Sequence, residues 1–272
     1  MTNPSWGDFG TFDESAYPEL WDGVVGAWAP CLGPTGLRLH DHSRRSIWGT
    51  MTNADPATCW AVNSGQYSLA LDGTNDYVTT ADAPFDLTDK FAIAFWCNIT
   101  SGRMLLTKGN MGETGYGFDF GGFTAGQIEW LTLQNGATYI NRGFANPGGW
   151  VHVCGMFDSS IAGTGRNILY INGVQRAGTV TNAGTVTAVS ANNNNLLLGS
   201  YSTLNLFLNG ALDDIRIYSR VLPDAQIKLL ASERGIAYAR RRRTLRRLAI
   251  GEGAAFKAYW ARRQNQIIGG GV

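Results

Sequence analysis

YSLALDGTNDYV (Tyr67–Val78) reads as two short strands folded about the turn Asp72-Gly73-Thr74-Asn75-Asp76. Gly, Asn and Asp are the residues that accept turn backbone most readily. Just downstream, FAIAFW (Phe91–Trp96) is an apolar run of strand length. Working outward, Val24–Trp28, Met104–Lys108, Gly117–Phe120, Ile128–Gln134, Val151–Phe157, Ile168–Ile171 and Leu196–Leu198 continue the series. Asn172-Gly173 stands between Leu169-Tyr170-Ile171 and Val174-Gln175, which predicts a two-residue hairpin with positive φ at both turn positions. Many short strands with Gly and Asn turns predict an all-β sandwich or jelly roll. No fixed period appears, which disfavours a propeller or solenoid.

Composition agrees. The 272 residues are 44% hydrophobic and 16% charged, with 35 Gly against 8 Pro and 9 Trp, as expected of one large turn-rich domain. No apolar run approaches the roughly 18 residues of a spanning helix, so membrane insertion is not expected. Met1–Asp8 has neither a basic start nor an apolar stretch, so synthesis in the cytoplasm without a signal peptide is the expectation. Cys31, Cys59, Cys97 and Cys154 are far apart, with no CxxC and no His at ligand spacing, which argues against a zinc site.

The net charge of +1 conceals an asymmetry. Residues 1–235 carry 13 Lys/Arg and 20 Asp/Glu, a balance of −7; residues 236–272 carry 9 Lys/Arg and only Glu252, a balance of +8. Three parts are therefore expected: an arm over 1–20, a sandwich over 21–235 and a basic tail over 236–272. Leu222-Pro223-Asp224 opens a helix signal before the tail, since Pro and Asp suit a first turn. In the tail, 236–250 and 254–267 read as helical segments, and Phe256, Tyr259, Trp260 and Arg263 recur at helical spacing.

Four pieces, in order, resemble a laminin G-like domain of the concanavalin A-like lectin/glucanase superfamily. They are Gly23–Trp28; Leu39-His40-Asp41-His42-Ser43 with Gly49-Thr50 and Asn53; Tyr67–Val78 with Phe91–Trp96; and Trp150–Val153 with Leu169–Gly173, Gly210–Tyr218 and Leu222–Ile227. The resemblance implies a jelly-roll sandwich of two antiparallel sheets with a short closing helix. It also raises glucanase chemistry, which needs paired carboxylates about 5–5.5 Å apart. None of the six glutamates has an acidic neighbour two positions along a strand, and Asp213 and Asp214, being adjacent, are expected to face opposite sides. A non-enzymatic domain is the expectation.

Relatives of this kind often bind calcium, which by resemblance implicates Asp41, Asp213 and Asp214, oxygen ligands suited to a hard cation. Here the loop continues Arg44-Arg45-Ser46-Ile47-Trp48, so an Asp–Arg clamp without metal stands beside the calcium reading. Glycan binding is the other family expectation. Trp48, Trp60, Tyr201 and Asn193, within the run Asn192–Asn195, are its candidates, although a sandwich tryptophan can equally be core.

Arg240–Arg243 and Arg246-Arg247 could bind nucleic acid, but the acidic body argues against it. The aromatic-basic segment suits docking on a protein, with Arg241, Arg242, Arg246, Phe256, Tyr259, Trp260 and Arg263 as anchors. Ala258–Gly271 resembles tails on laminin G-like proteins encoded by bacterial viruses. The expectation is a decoration-type protein on the virion surface. It would dock on a capsid or tail protein, form a homo-oligomer within the assembly and meet cell-surface glycans. A free carbohydrate-binding module is the alternative.

Overall fold

The computed structural model describes residues 17–110 and 112–238. Six strands come first: β1 (Val24–Trp28), β2 (Arg38–Leu39), β3 (Gly49–Thr52), β4 (Trp60–Asn63), β5 (Gln66–Asp72) and β6 (Tyr77–Thr79). The centre holds β7 (Lys90–Gly102), β8 (Leu106–Lys108), β9 (Gly115–Phe120), β10 (Gln127–Asn135), β11 (Thr138–Ala145) and β12 (Trp150–Asp158). Then come β13 (Asn167–Ile171), β14 (Val174–Arg176), β15 (Thr179–Ala183), β16 (Leu196–Leu198), β17 (Leu208–Tyr218) and the helix α1 (Asp224–Leu230).

They form two antiparallel sheets. The first runs β14-β13-β12-β7-β17-β5-β4 with β1 beside β17; the second runs β15-β11-β10-β9-β8-β16-β6-β3-β2. This is the expected jelly-roll sandwich. The Asn172-Gly173 hairpin is present as read, with φ of 51° and 72° between paired Ile171 and Val174.

β7 shows why the stretch Phe91–Cys97 is apolar at every position. Phe91, Ile93, Phe95 and Cys97 enter the core between the sheets. Ala92 and Ala94 lie on the opposite face, beneath Ile227 and Leu230 of α1. A strand buried on both faces loses its alternation, and the two alanines leave room for the helix. Tyr170 Oη bonds Asp224 Oδ1 at 2.6 Å, and Trp96 Nε1 donates to Leu230 O at 3.2 Å, fixing both ends of α1. Cys97 and Cys154 belong to opposite faces of this sheet, and all four cysteines are free.

Between the sheets, Trp130 is the keystone. Its ring centroid is 4.7 Å from that of Phe118, and Nε1 donates to Met156 O at 3.0 Å. Gly155 faces it from β12, where an added Cβ would sit 2.5 Å from both Phe118 and Trp130.

The domain edges differ from the expected ones at 20 and 236. Pro18–Leu20 forms a short 3₁₀ turn with Leu20 fully buried, and Ile236–Tyr238 forms another whose three residues are all buried. Of the helix expected over 236–250, only 236–238 lie within the described residues, and they form this turn. Both edges move outward because both turns pack on the outer face of the first sheet.

Gly155→Val should test the tight packing. Overfilling this contact is expected to cost about 1–3 kcal/mol or more, read by urea titration, with Gly155→Ala intermediate.

Candidate functional site

The last strand changes partner partway along. Asn209–Leu212 of β17 pair with β5, whereas Ile215–Tyr218 pair with β1 on the same side. The pairing with β7 slips between Asp213 and Arg216, and Asp214 adopts φ 44°. A bulge here breaks alternation. This corrects the expectation that Asp213 and Asp214 face opposite ways: both carboxylates turn into one buried cluster.

Arg216 lies at its centre, fully buried. Nε donates to Asp214 Oδ1 at 2.8 Å, while the guanidinium carbon sits 4.4 Å from the Trp21 ring and 4.5 Å from the Tyr238 ring. Asp214 Oδ2 accepts from Gly235 N at 3.1 Å. Asp213 Oδ1 accepts from Cys31 N at 2.9 Å and Asp214 N at 2.8 Å. Its Oδ2 has no hydrogen bond and faces Arg234 Nη1 at 3.7 Å. Arg234 stacks 4.1 Å above Trp150. Burial first, and Asp214 next, push the Asp213 carboxyl up to about 7.

Asp41 organises a different loop. Oδ1 accepts from Ala27 N at 2.9 Å and Ser43 N at 2.8 Å; Oδ2 accepts from Ser43 Oγ at 2.6 Å and Ile47 N at 2.7 Å. His42 N donates to Ala27 O at 2.7 Å, and Trp28 Nε1 to Ile47 O at 3.0 Å. The expected metal set therefore does not fit a hard cation. Asp41 is saturated by four donors, Asp214 by Arg216 and Gly235, and the open oxygen of Asp213 points at a guanidinium. The arginines that pair with the aspartates are Arg216 and Arg234, rather than the Arg44 and Arg45 expected of a clamp.

The glycan candidates separate in space. Trp60 belongs to the inter-sheet core, and its indole donates to Gly36 O at 2.9 Å. Tyr201 Oη bonds Asn110 Oδ1 at 2.7 Å. Asn193 is exposed beside Asn192, whose carbonyl and side-chain oxygens take Lys108 Nζ at 3.0 and 3.1 Å. That buried ammonium also holds Asp82 Oδ1 and Asp86 Oδ1, each at 2.8 Å, tying two loops together. Trp48 is 41% exposed. It stacks on His40 with centroids 4.0 Å apart, and the Arg38 guanidinium carbon lies 5.4 Å from its ring.

A carboxylate pair went unseen in the sequence because it joins two strands. Asp119 of β9 and Glu129 of β10 are opposite in register on the outer face of the second sheet. Asp119 is gripped by Arg103 through Nε at 2.9 Å and through Nη2. Glu129 accepts from Phe123 N at 2.9 Å and from Thr124 N at 2.6 Å. The loop between their strands thus covers both, and Gly122 lies against the Asp119–Arg103 pair so closely that a Cβ would collide. The tail candidates Arg241, Arg242, Arg246, Phe256, Tyr259, Trp260 and Arg263 lie outside the described residues.

A family model described as the concanavalin A-like lectin/glucanases superfamily, in its laminin G-like branch (Laminin_G_3), matches residues 72–228, more than half of the chain. No curated protein matches the sequence. Among solved structures, the chain is similar to the binding domain of botulinum neurotoxin DC in complex with sialylT, with TM-score 0.56 and 14% identity over 78% of this chain and 52% of that one. It is similar to the botulinum neurotoxin type C structure describing dependence of cell entry on two ganglioside molecules, with TM-score 0.55 and 14% identity over 79% and 52%. The binding domain of Paraclostridial Mosquitocidal Protein 1 follows, with TM-score 0.55 and 15% identity over 78% and 52%. The chain spans about half the length of these structures, and at such identities the likeness is one of fold.

Two outcomes test the β17 cluster. Arg216→Met should cost about 3–5 kcal/mol in denaturant titration, because it strands the buried Asp214. Asp213→Asn should change the pH profile. The unfolded chain ionises this group near 3.8, the folded chain near 7, so wild-type stability falls as pH rises between them. The variant should gain on wild type across that window, by at most about 1.4 kcal/mol per pH unit, and run parallel above it. His42, lowered to about 4 by burial and then His40, destabilises on acidification in both proteins and drops out of the difference.

Proposed function

The chain belongs to the concanavalin A-like lectin/glucanases superfamily, and from that premise we propose that it is a non-enzymatic, lectin-like binding module displayed on a virus particle. The observation that carries the binding half is Trp48, a ring 41% exposed on a loop that the Asp41 carboxylate holds from within. Sugar rings present C–H faces that stack on such a surface, and a rigid loop loses little entropy on binding. Solved domains of this fold have been studied with sialylT and with gangliosides, which supports a glycan reading. Asn193 and Tyr201 belong to other loops and serve this reading only as secondary contacts.

Display rests on the charge asymmetry and on the aromatic-basic tail, with Arg241, Arg242, Arg246, Phe256, Tyr259, Trp260 and Arg263 meeting a capsid or tail protein. Many copies on one particle would turn weak sugar contacts into useful avidity. Among the described residues no helix is long and apolar enough to cross a membrane. The Trp48 loop needs no calcium in this reading, because Asp41 is already neutralised by donors.

Asp119 and Glu129 raise a glycosidase reading, the one alternative with a specific geometry behind it. Their engagement speaks for a structural role: catalytic carboxyls must reach a sugar, and these reach Arg103 and backbone N–H groups instead.

Removing residues 240–272 should abolish attachment to particles in a co-sedimentation assay while leaving the melting temperature of the sandwich unchanged. Full attachment by the shortened chain would refute the display role. Release of reducing sugar that Glu129→Gln abolishes would instead establish the glycosidase.

A further inference from the structure

We propose that the shelf formed by Arg38, His40 and Trp48 takes an anionic saccharide, one carrying a carboxylate or sulfate beside its stacking face. This rests on the carbohydrate-binding reading above and names the ligand class.

The shelf is poor in acidic groups. Its loop contains one carboxylate, Asp41, which is buried and accepts four hydrogen bonds on its inner side. Around it the loop carries Arg38 and Arg45, both exposed, and the half-buried His40. Neither Arg38 nor Arg45 forms an ion pair with any described residue. This is a positive island on a body whose balance over 1–235 is −7.

Guanidinium groups donate and cannot accept. A neutral sugar presents hydroxyls that both donate and accept, and only their acceptor side matches a guanidinium. A carboxylate or sulfate only accepts, and it matches the guanidinium fork with charge-assisted bonds about twice as strong as neutral ones.

Placement favours the same ligand. The Arg38 guanidinium carbon is 5.4 Å from the Trp48 ring, and the His40 ring is stacked on that indole at 4.0 Å. A pyranose resting on the open part of the indole therefore has a cation within reach of a substituent on its rim. The shelf is set before ligand arrives. Ile47 N is held by Asp41, and Ile47 O by the Trp28 indole, so the residue next to Trp48 is fixed on both sides of its peptide. Thr35 Oγ1 donates to Arg38 O, which anchors the other rim.

The test titrates the full chain by calorimetry with four probes: trigalacturonic acid, its methyl ester, neutral galactotriose and sulfated galactotriose. The acid is expected to bind about tenfold or more tighter than its ester. Trp48→Ala should weaken every probe that binds, with Trp48→Phe intermediate. Arg38→Gln should weaken the acid about tenfold and leave the ester unchanged. Comparing the acid with the sulfated probe separates a carboxylate ligand from a sulfate one.

Because every variant keeps the basic tail, acid binding that survives both substitutions belongs to the tail and overturns the shelf. If acid, ester and neutral probe bind equally and all depend on Trp48, the lectin reading stands and the anionic preference is refuted. If no probe binds, both fall. Thermal melts of each variant guard against misfolding, since Trp48 and Arg38 are exposed.

Discussion

A single buried guanidinium carries the topology. β17 must leave β5 and take up β1 along the same edge, and two ladders cannot meet without a break in register. The break leaves two carboxylates inside the protein. Arg216 neutralises one and is itself shielded by the flat faces of Trp21 and Tyr238. Such pairs are expensive to desolvate and expensive to break, so they fix which structure forms more than how stable it is. The specificity here is concrete: Arg216 gains the Leu20 carbonyl and the Tyr238 ring only when Pro18–Leu20 and Ile236–Tyr238 have both come home.

The same device recurs at loops. Asp41 gathers the N–H groups of its own loop, and Lys108 gathers oxygens from the segments around Asp82, Asp86 and Asn192. Glu129 caps the hairpin it belongs to. In each case one inward charge meets the polar groups of a turn that no sheet can satisfy. The loops at the rims are thereby held by polar contacts as well as by apolar anchors such as Phe85, and exposed rings such as Trp48 remain available for contact.

The sheets were legible in the sequence wherever strands are bounded by turn chemistry. Asn172-Gly173 marks its hairpin directly, the Asp72–Asp76 turn instead carries the chain from β5 in the first sheet to β6 in the second, and Phe91–Trp96 announces a strand covered on both sides. β11, TYINRGFA, was not legible: its polar Asn141 and Arg142 blur the alternation, and it becomes a strand through its neighbours. Local rules also misplaced Asp213 and Asp214, because alternation holds only while a strand keeps one partner. The Asp119–Glu129 juxtaposition depends on register between two strands, which no single stretch records. Among the site residues, Trp48 and Trp60 are chemically alike in the text. What separates them is that one indole N–H finds Gly36 O inside while the other ring stays outside, a difference set by the sandwich as a whole.

The meeting of Trp21 and Tyr238, whose rings stand edge to face at 5.3 Å, means that the described fold is entered and left at one doorway. A domain with adjoining ends can be carried as a guest within a loop of another chain without stretching its host. A pull from either end therefore works on the contacts of one residue, Arg216, through Leu20 O and the Trp21 ring on one side and the Tyr238 ring on the other.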